Sequence, residues 1–317
     1  NRISQTQPGQ LDPQAVSEQM QSITSQPLSP SRLTQYQRCP QQYLFEKLLG
    51  LPQLSVLDGI AASDWGLFIH QLLETVLSQD IPEPTDALLK SMLQSEAAKM
   101  LSEQGRHFDW LVKSDLLFGS PQRAGLLDAL ASCIAELLHD YELLALEHPI
   151  NTSIDAAEGC MRLHGRIDLI LKEKEGRGLI IIDYKTGSTI PKSIEVETVD
   201  NLQLPIYMLS MDSPSTPVAA LMVCQIHHAH PVHTQLVACN SEYSAKDFNK
   251  KGRPFRWEAI EYSAEIRDQL LRLYRGIQAA EFQVENPSRH PRRLKAQSQT
   301  CKFCDFKSIC QYPGRYD

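Results

Sequence analysis

Leu179-Ile180-Ile181-Ile182 is an unbroken apolar run that ends directly on Asp183-Tyr184-Lys185. With the polar turn Lys174-Glu175-Gly176-Arg177-Gly178 before it, the run reads as a strand buried on both faces. A strand of that kind needs a sheet with a layer of structure on each side. Asp183 sharpens the constraint, because a carboxylate at the end of a buried strand is costly unless it is paired or bound to metal. Side chains on a strand repeat every second residue, so Asp183 and Lys185 share a face. On its own, an Asp-x-Lys at a strand end is most often a solvent-facing ion pair.

A second carboxylate changes that balance. Asp168 follows Gly165-Arg166-Ile167 and precedes Leu169-Ile170-Leu171, so it too interrupts an apolar strand, spanning Met161 to Lys172. Two aspartates on adjacent strands of a hairpin can converge on one cation, and oxygen ligands suit Mg²⁺ or Mn²⁺ better than Zn²⁺. A lysine beside such a centre orients water and offsets phosphate charge, as phosphodiester hydrolysis requires. Upstream, a helix from Trp65 to Leu77, with Leu67, Leu72, Leu73 and Val76 as its buried side, carries His70, and Glu74 follows one turn later. Downstream, a helix from Val199 to Met211 places Gln203 and Tyr207 on one face. A surface His-Glu pair and ordinary amphipathicity would account for these two if they stood alone.

The rest of the chain divides by composition. Residues 1–27, rich in Gln, Ser and Pro, read as a linker or disordered tail. Ser29 or Ser31 caps a helix running through Tyr36, Pro30 suits its first position, and Cys39-Pro40 interrupts it. Tyr43, Leu44, Leu48 and Leu49 supply a second apolar face. Residues 83–147 read as a helical insertion, with Leu/Ala-rich segments near 86–104 and 122–146 broken at Gly119-Ser120-Pro121. Val218–His227 and Val232–Cys239 read as strands, and Trp257–Phe282 as a long amphipathic helix.

In order along the chain stand Gly-x-x-x-His ending at His70, Gly-Arg-Ile-Asp ending at Asp168, Ile-Ile-Asp-Tyr-Lys-Thr-Gly around Asp183, and Gln-x-x-x-Tyr from Gln203 to Tyr207. This set resembles the RecB-like branch of the PD-(D/E)XK nuclease superfamily, from about Leu28 to Cys310. The resemblance implies an α/β fold, a restriction-endonuclease-like mixed sheet flanked by helices with a helical insertion, over residues 28–317. It implies a Mg²⁺- or Mn²⁺-dependent DNA exonuclease of recombinational repair. His70, Asp168, Asp183 and the Tyr184 backbone carbonyl would hold the metal, and Lys185 would position water. Gln203 and Tyr207 would line the site and orient Lys185 or the DNA strand. Glu74 would be an outer-sphere or second-metal residue. The second acid is Asp183 where many relatives have Glu; the superfamily uses both.

Cys39 near one end, and Cys301, Cys304 and Cys310 near the other, offer four thiolates. The chemistry of the four alone fits either Zn²⁺ or an iron–sulfur cluster. The split of one ligand plus three resembles AddB-type and related CRISPR-associated nucleases. That likeness implies a [4Fe–4S] staple between the termini, with zinc the lesser alternative and Tyr36, Tyr43 and Phe303 packed about it. It also implies single-stranded or end-containing DNA as substrate, weakly favours 5′→3′ cutting, and implies a helicase partner or a larger helicase–nuclease polypeptide. The other cysteines, Cys133, Cys160, Cys224 and Cys239, read as small buried hydrophobes.

The chain has 317 residues, 42% of them hydrophobic, enough for one large core. Its net charge of −7 excludes a broadly basic nucleic-acid coat but not a local basic groove. Two patches stand out as DNA contacts: Lys250, Lys251, Arg253 and Arg256 among aromatics, and Arg292 with Arg293 in a basic loop. No phosphate-binding loop for ATP and no apolar run of about 18 residues is present. Eight cysteines without a secretory signal point to a reducing, cytoplasmic setting. A chain opening on Asn1 reads as cut from a longer polypeptide. The rival to an enzyme is a catalytically silent DNA-binding or scaffold module that kept the fold; a zinc-stapled structural protein is a third reading.

Overall fold

The computed structural model describes residues 23–51, 62–103, 108–120, 122–156, 159–176, 178–187, 201–227, 232–248, 250, 254–282, 301 and 304–310. Helix α1 (Pro30–Arg38) starts where the sequence signals it: the Ser29 hydroxyl accepts from the Arg32 N–H, and Pro30 occupies the first turn. Cys39, in extended conformation, ends α1, and its sulfur caps the next short helix, α2 (Pro40–Tyr43), by accepting from the Gln42 N–H. A π-helical turn follows at Leu44–Leu48. Tyr43 and Leu44 are buried there, whereas Leu49, expected on the same apolar face, is exposed beyond that turn.

Four helices follow: α3 (Ala62–Leu77), α4 (Asp86–Glu103), α5 (Phe108–Phe118) and α6 (Leu126–Asp140). The buried stripe of α3 is Trp65, Phe68, Ile69, Leu72, Leu73 and Val76. Leu67 does not belong to it. At 100° per residue Leu67 falls off the stripe that Leu72, Leu73 and Val76 define, and it is 58% exposed. Between α5 and α6 a small antiparallel ladder, β1 (Gly119–Ser120) with β2 (Arg123–Ala124), reverses the chain. Gly119 has φ +75°, and a Cβ there would collide with the backbone of residues 123–125.

The helical reading of residues 122–146 overshoots. The chain turns extended at Tyr141, and β3 (Tyr141–Ala156) pairs antiparallel with β4 (Gly159–Glu173) along its whole length. Leu143-Leu144-Ala145-Leu146 has helical propensity, but cross-strand packing against Leu169–Leu171 overrides it. The six-stranded sheet has the order β3-β4-β5-β6-β7-β8, with β5 (Leu179–Lys185), β6 (Val218–Gln225), β7 (His233–Asn240) and β8 (Phe255–Trp257). It is mixed: β5 runs antiparallel to β4 and parallel to β6, and the crossover passes through α7 (Gln203–Met211). The last helix, α8 (Ala259–Gln278), is shorter than expected, because Phe255–Trp257 is spent on the edge strand.

Residues Leu179–Tyr184 are all buried, as their sequence demands. One face of the sheet packs on α1, α7 and α8 through Leu33, Tyr36, Ile206, Met208, Ile266 and Leu270. The other packs on α3, α4 and α6 through Leu72, Leu73, Leu93, Leu130 and Ile134. Of the four cysteines expected in the core, Cys133, Cys224 and Cys239 are buried. Cys160 is exposed, because it stands on the outward face of β4 near the hairpin tip.

The N-terminal helices are held to the end of α8 by aromatic rings. Tyr36 meets Tyr43 and Phe282 edge-on at 5.5 and 6.0 Å, Tyr43 stacks on Phe282, and the Tyr36 hydroxyl donates to the Glu281 carbonyl at 2.6 Å. Gly276 leaves room for this cluster, since a Cβ there would strike the Tyr36 phenol. Gly276→Ala therefore sets a helix-propensity gain of about 1 kcal/mol against that clash. A net loss of about 1–3 kcal/mol is expected, read as a lower urea midpoint at unchanged slope; a stabilised variant would show that the ring cluster yields freely.

Candidate active site

The site forms where β4 and β5 separate. Their pairing runs from Lys172/Leu179 to Leu169/Ile182 and stops, so Asp168 and Asp183 lie just past the last paired residues. The Tyr184 N–H bridges the gap, donating to Asp168 Oδ2 at 2.6 Å. Both carboxylates are deep: Asp168 is 7% exposed and Asp183 1%. Lys185 Nζ stands 2.5 Å from Asp183 Oδ2, as strand alternation requires, although that oxygen has no partner in hydrogen-bonding geometry.

Lys185 is held from the far side as well. Its Nζ donates to Gln203 Oε1 at 2.8 Å, and the Asn201 side-chain amide donates to the same oxygen at 3.0 Å. The Gln203 N–H in turn donates to Asn201 Oδ1, and Gln203 Nε2 donates to the Tyr207 hydroxyl at 3.4 Å. The two residues four apart on α7 thus form one relay that ends on the lysine. Burial, and then the charges of Asp183 and Asp168, push the Tyr207 phenol well above its ordinary range, so it stays protonated.

His70 enters from α3. Its Nδ1 lies 3.4 Å from Glu147 Oε1 and 3.5 Å from Asp168 Oδ1, and its ring meets Tyr184 edge-on at 5.5 Å. Among the described residues, His70, Glu147 and Asp168 are the one group of three metal-ligating side chains whose ligand atoms all lie within 4.8 Å of one another. Glu74, one turn on from His70, is exposed and outside this group.

Glu147 is the residue that sequence reasoning missed. It lies on β3 between the pairs Leu146/Leu169 and His148/Ile167, hence across from Asp168, with φ +44°. A left-handed, non-glycine residue inside a strand is strained backbone, retained where the surroundings over-determine it. Its other oxygen lies 3.6 Å from Arg166 Nη1. The signal was the one that exposed Asp183: an apolar run, Leu143–Leu146, ending on an acid. It went unread because the run was taken as helix.

The electrostatics follow from this crowding. Burial, then the neighbouring Asp183 charge, raise the Asp168 carboxyl to about 7 against the pull of His70, the Tyr184 N–H and Lys185. Burial alone would lower the His70 imidazole, but the Glu147 hydrogen bond and the charges of Asp168, Glu147 and Asp183 outweigh it and raise the group.

The cysteines expected to act together do meet. Burial lifts the Cys39 thiol to about 11, the Gln42 N–H opposes this, and the charges of Cys310, Cys301 and Cys304 add to the rise. Cys310 Sγ donates to Gln41 Oε1 at 3.0 Å, and buried Phe306 packs on Phe45. Phe303 lies outside the described residues.

Of the expected DNA contacts, Arg256 donates to the Ser241 carbonyl on β8, three strands or ~14 Å across the sheet from β5. Lys250 lies near Cys133 and Cys224. Lys251, Arg253, Arg292 and Arg293 lie outside the described residues.

Asp168 and His70 are both raised, so between about pH 4 and 7 the native state holds more protons than the unfolded chain, and its stability falls as pH rises through that window. In EDTA, the melting temperature of the wild type should therefore drop relative to Asp168→Asn between about pH 5 and 8. Parallel curves would show that Asp168 is not the group responsible.

A family model of the PD-(D/E)XK nuclease superfamily matches residues 27–311. Among solved structures, SSO0001 is 15% identical, with 79% of this chain and 97% of that chain covered and a TM-score of 0.32. A protein from Eubacterium rectale described as a candidate exonuclease is 11% identical, with 84% and 87% covered and a TM-score of 0.33. No curated protein matches. The family match takes in every residue of the site and nearly the whole described fold, and by it the chain belongs to the PD-(D/E)XK nuclease superfamily.

Proposed function

We propose that this chain is a Mg²⁺- or Mn²⁺-dependent deoxyribonuclease of the RecB-like branch, acting as an exonuclease on single-stranded DNA or DNA ends in recombinational repair. The observation that carries the reading is the meeting of His70, Glu147 and Asp168 beside the Asp183–Lys185 pair. The donor set, one imidazole and several carboxylate oxygens, suits a hard divalent cation, and the raised Asp168 carboxyl marks a place short of positive charge. His70, Asp168, Asp183 and the Tyr184 carbonyl would hold the ion, with Glu147 the added candidate. Bound there, it would acidify water and polarise a phosphate.

The remaining roles belong to the chain's own groups. The Lys185 ammonium, steadied between Asp183 and Gln203, orients the attacking water and offsets charge on the phosphate as it becomes five-coordinate. Gln203 takes its orientation from Asn201 and Tyr207, so the lysine is aimed before substrate arrives. Burial of Asp183 beneath Lys185 keeps bulk water from screening either charge.

The test is cleavage of end-labelled single-stranded DNA by anaerobically purified protein with Mg²⁺ or Mn²⁺, set against EDTA and Asp183→Ala. Shortening should depend on metal and fall by about 10³-fold or more in the variant, with binding retained; Lys185→Ala should cost about 10²–10³-fold. Label position reads polarity, with 5′→3′ expected. A folded protein that binds DNA and leaves it whole would sink the enzyme and favour the silent DNA-binding module of a helicase–nuclease complex.

Cys39, Cys301, Cys304 and Cys310 would hold a [4Fe–4S] cluster, whose part is structural. Two observations support this over zinc. The four thiols influence one another, yet no three of their sulfurs lie within 4.8 Å, wider than the ~3.8 Å between thiolates on one tetrahedral Zn²⁺. The protein should then be brown, with broad visible absorption that zinc lacks, and Cys39→Ala should bleach it and lower the melting temperature. A colourless protein with stoichiometric zinc would overturn the cluster and leave the nuclease reading standing.

A further inference from the structure

The β3–β4 ribbon runs on well past the sheet. β5 pairs with β4 over Leu169–Lys172, whereas β3 stays paired with β4 out to Ala156/Gly159. The inner face of this extension, Ile150, Ile154, Met161, Leu163 and Ile167, is buried in the core layer that holds Leu28, Leu33 and Tyr274. Strand alternation sets the other face. Stepping by two from Asp168 toward the tip come Arg166, His164, Arg162 and Cys160, all exposed. Across from them on β3 stand Pro149, Asn151, Ser153 and Asp155, also exposed, in the pairs Pro149/Arg166, Asn151/His164, Ser153/Arg162 and Asp155/Cys160.

Three features mark this face. Its row begins at the candidate active site, where Arg166 approaches Glu147. Arg162 donates to the Ser25 carbonyl, a contact that places the guanidinium without neutralising it. Among the described outward residues past the Arg166–Glu147 contact, no carboxylate appears until Asp155 near the tip. In a chain with seven more acids than bases, a row of cations and neutral donors leading from a buried acidic centre runs against the composition.

We infer that this outer face of the ribbon is a phosphate track for a single DNA strand, holding nucleotides to one side of the bond being cut; the inference rests on reading the site as a nuclease. Alternate side chains of a strand recur every ~6.6 Å, so Arg166 to Arg162 spans about 13 Å, or roughly four steps of one stacked strand at ~3.4 Å each. The arginines offer forked donors to phosphate oxygens, and His164, Asn151 and Ser153 add single donors. None of these contacts reads a base, so the track is indifferent to sequence. The ribbon, two columns wide, covers one backbone and not the second strand of a duplex.

The test leaves Arg166 alone, because it touches Glu147, and uses Arg162→Ala/His164→Ala in the full chain. Binding of fluorescent oligothymidylate several times longer than the track is measured in Ca²⁺ across a salt series, and Mg²⁺-dependent cleavage of the same strand and of a dinucleotide is measured in parallel. The long strand should bind about 5–20-fold more weakly, with its salt slope shallower by about 1.4 for two lost phosphate contacts. The dinucleotide, too short to reach the track, should be cut as before, and Arg162→Lys alone should keep most of the affinity. Unchanged affinity and slope would overturn the track, as would equal damage to the dinucleotide, an equal loss on blunt duplex, or a wild type that binds no oligothymidylate. A wild type that binds but never cuts, with the variant binding more weakly, would keep the track and remove the nuclease.

Discussion

Two carboxylates placed in the interior of a sheet are the constraint on which the rest of the molecule depends. Asp168 and Asp183 sit at the point where β4 and β5 part, nearly closed to solvent. Buried charge of that kind is tolerated only when other groups answer it. Lys185, the Tyr184 N–H and His70 answer part of it. They do not answer all of it: Asp183 Oδ2 makes no hydrogen bond, and Asp168 is driven toward neutral pH. The protein alone leaves the centre short of positive charge, which is the physical content of calling it a cation site.

The groups that answer the two acids come from both sides of the sheet. His70 arrives on α3, which packs on one face, and Gln203 and Tyr207 on α7, which packs on the other. A site fed from both layers can lie only at a seam where strands diverge. Further from the seam, β5 separates the two cores along its whole buried length. This explains why the run Leu179–Ile182 is so uniformly apolar and why polarity begins abruptly at Asp183.

That abruptness is also what made the centre legible. A carboxylate that breaks an apolar strand is visible without any partner, so Asp168 and Asp183 could be picked out, and alternation then supplied Lys185. His70, Gln203 and Tyr207 were legible only through the ordered motif set, since each sits on a helix where a surface role is the ordinary one. Glu147 was not legible, because Leu143–Leu146 has the composition of a helix and becomes a strand only by pairing with a partner more than twenty residues away. Leu67 and Leu49 failed for a simpler reason: both are leucines near a buried stripe but off its angle, and composition does not reveal angle. Cys160 is exposed because β4 outruns the sheet, and the length of a ribbon depends on what packs beneath it.

The cysteine clasp bears on the active site through α1. The chain between Cys39 and Cys301 exceeds two hundred residues, but loop-closure entropy grows only with the logarithm of length, so the great span adds little by itself. Position matters more. Cys39 ends α1 and caps α2. One turn back in α1, Thr34 Oγ1 accepts from the Leu202 N–H at 3.0 Å, at the entrance to α7. The next residue, Gln203, holds Lys185. Three contacts thus connect the sulfur ligand near the N-terminus to the catalytic ammonium. A shift of α1 would disturb the lysine before it disturbed the buried sheet, because Thr34–Leu202 is a single hydrogen bond near the protein's edge and β5 is locked by pairing on both sides.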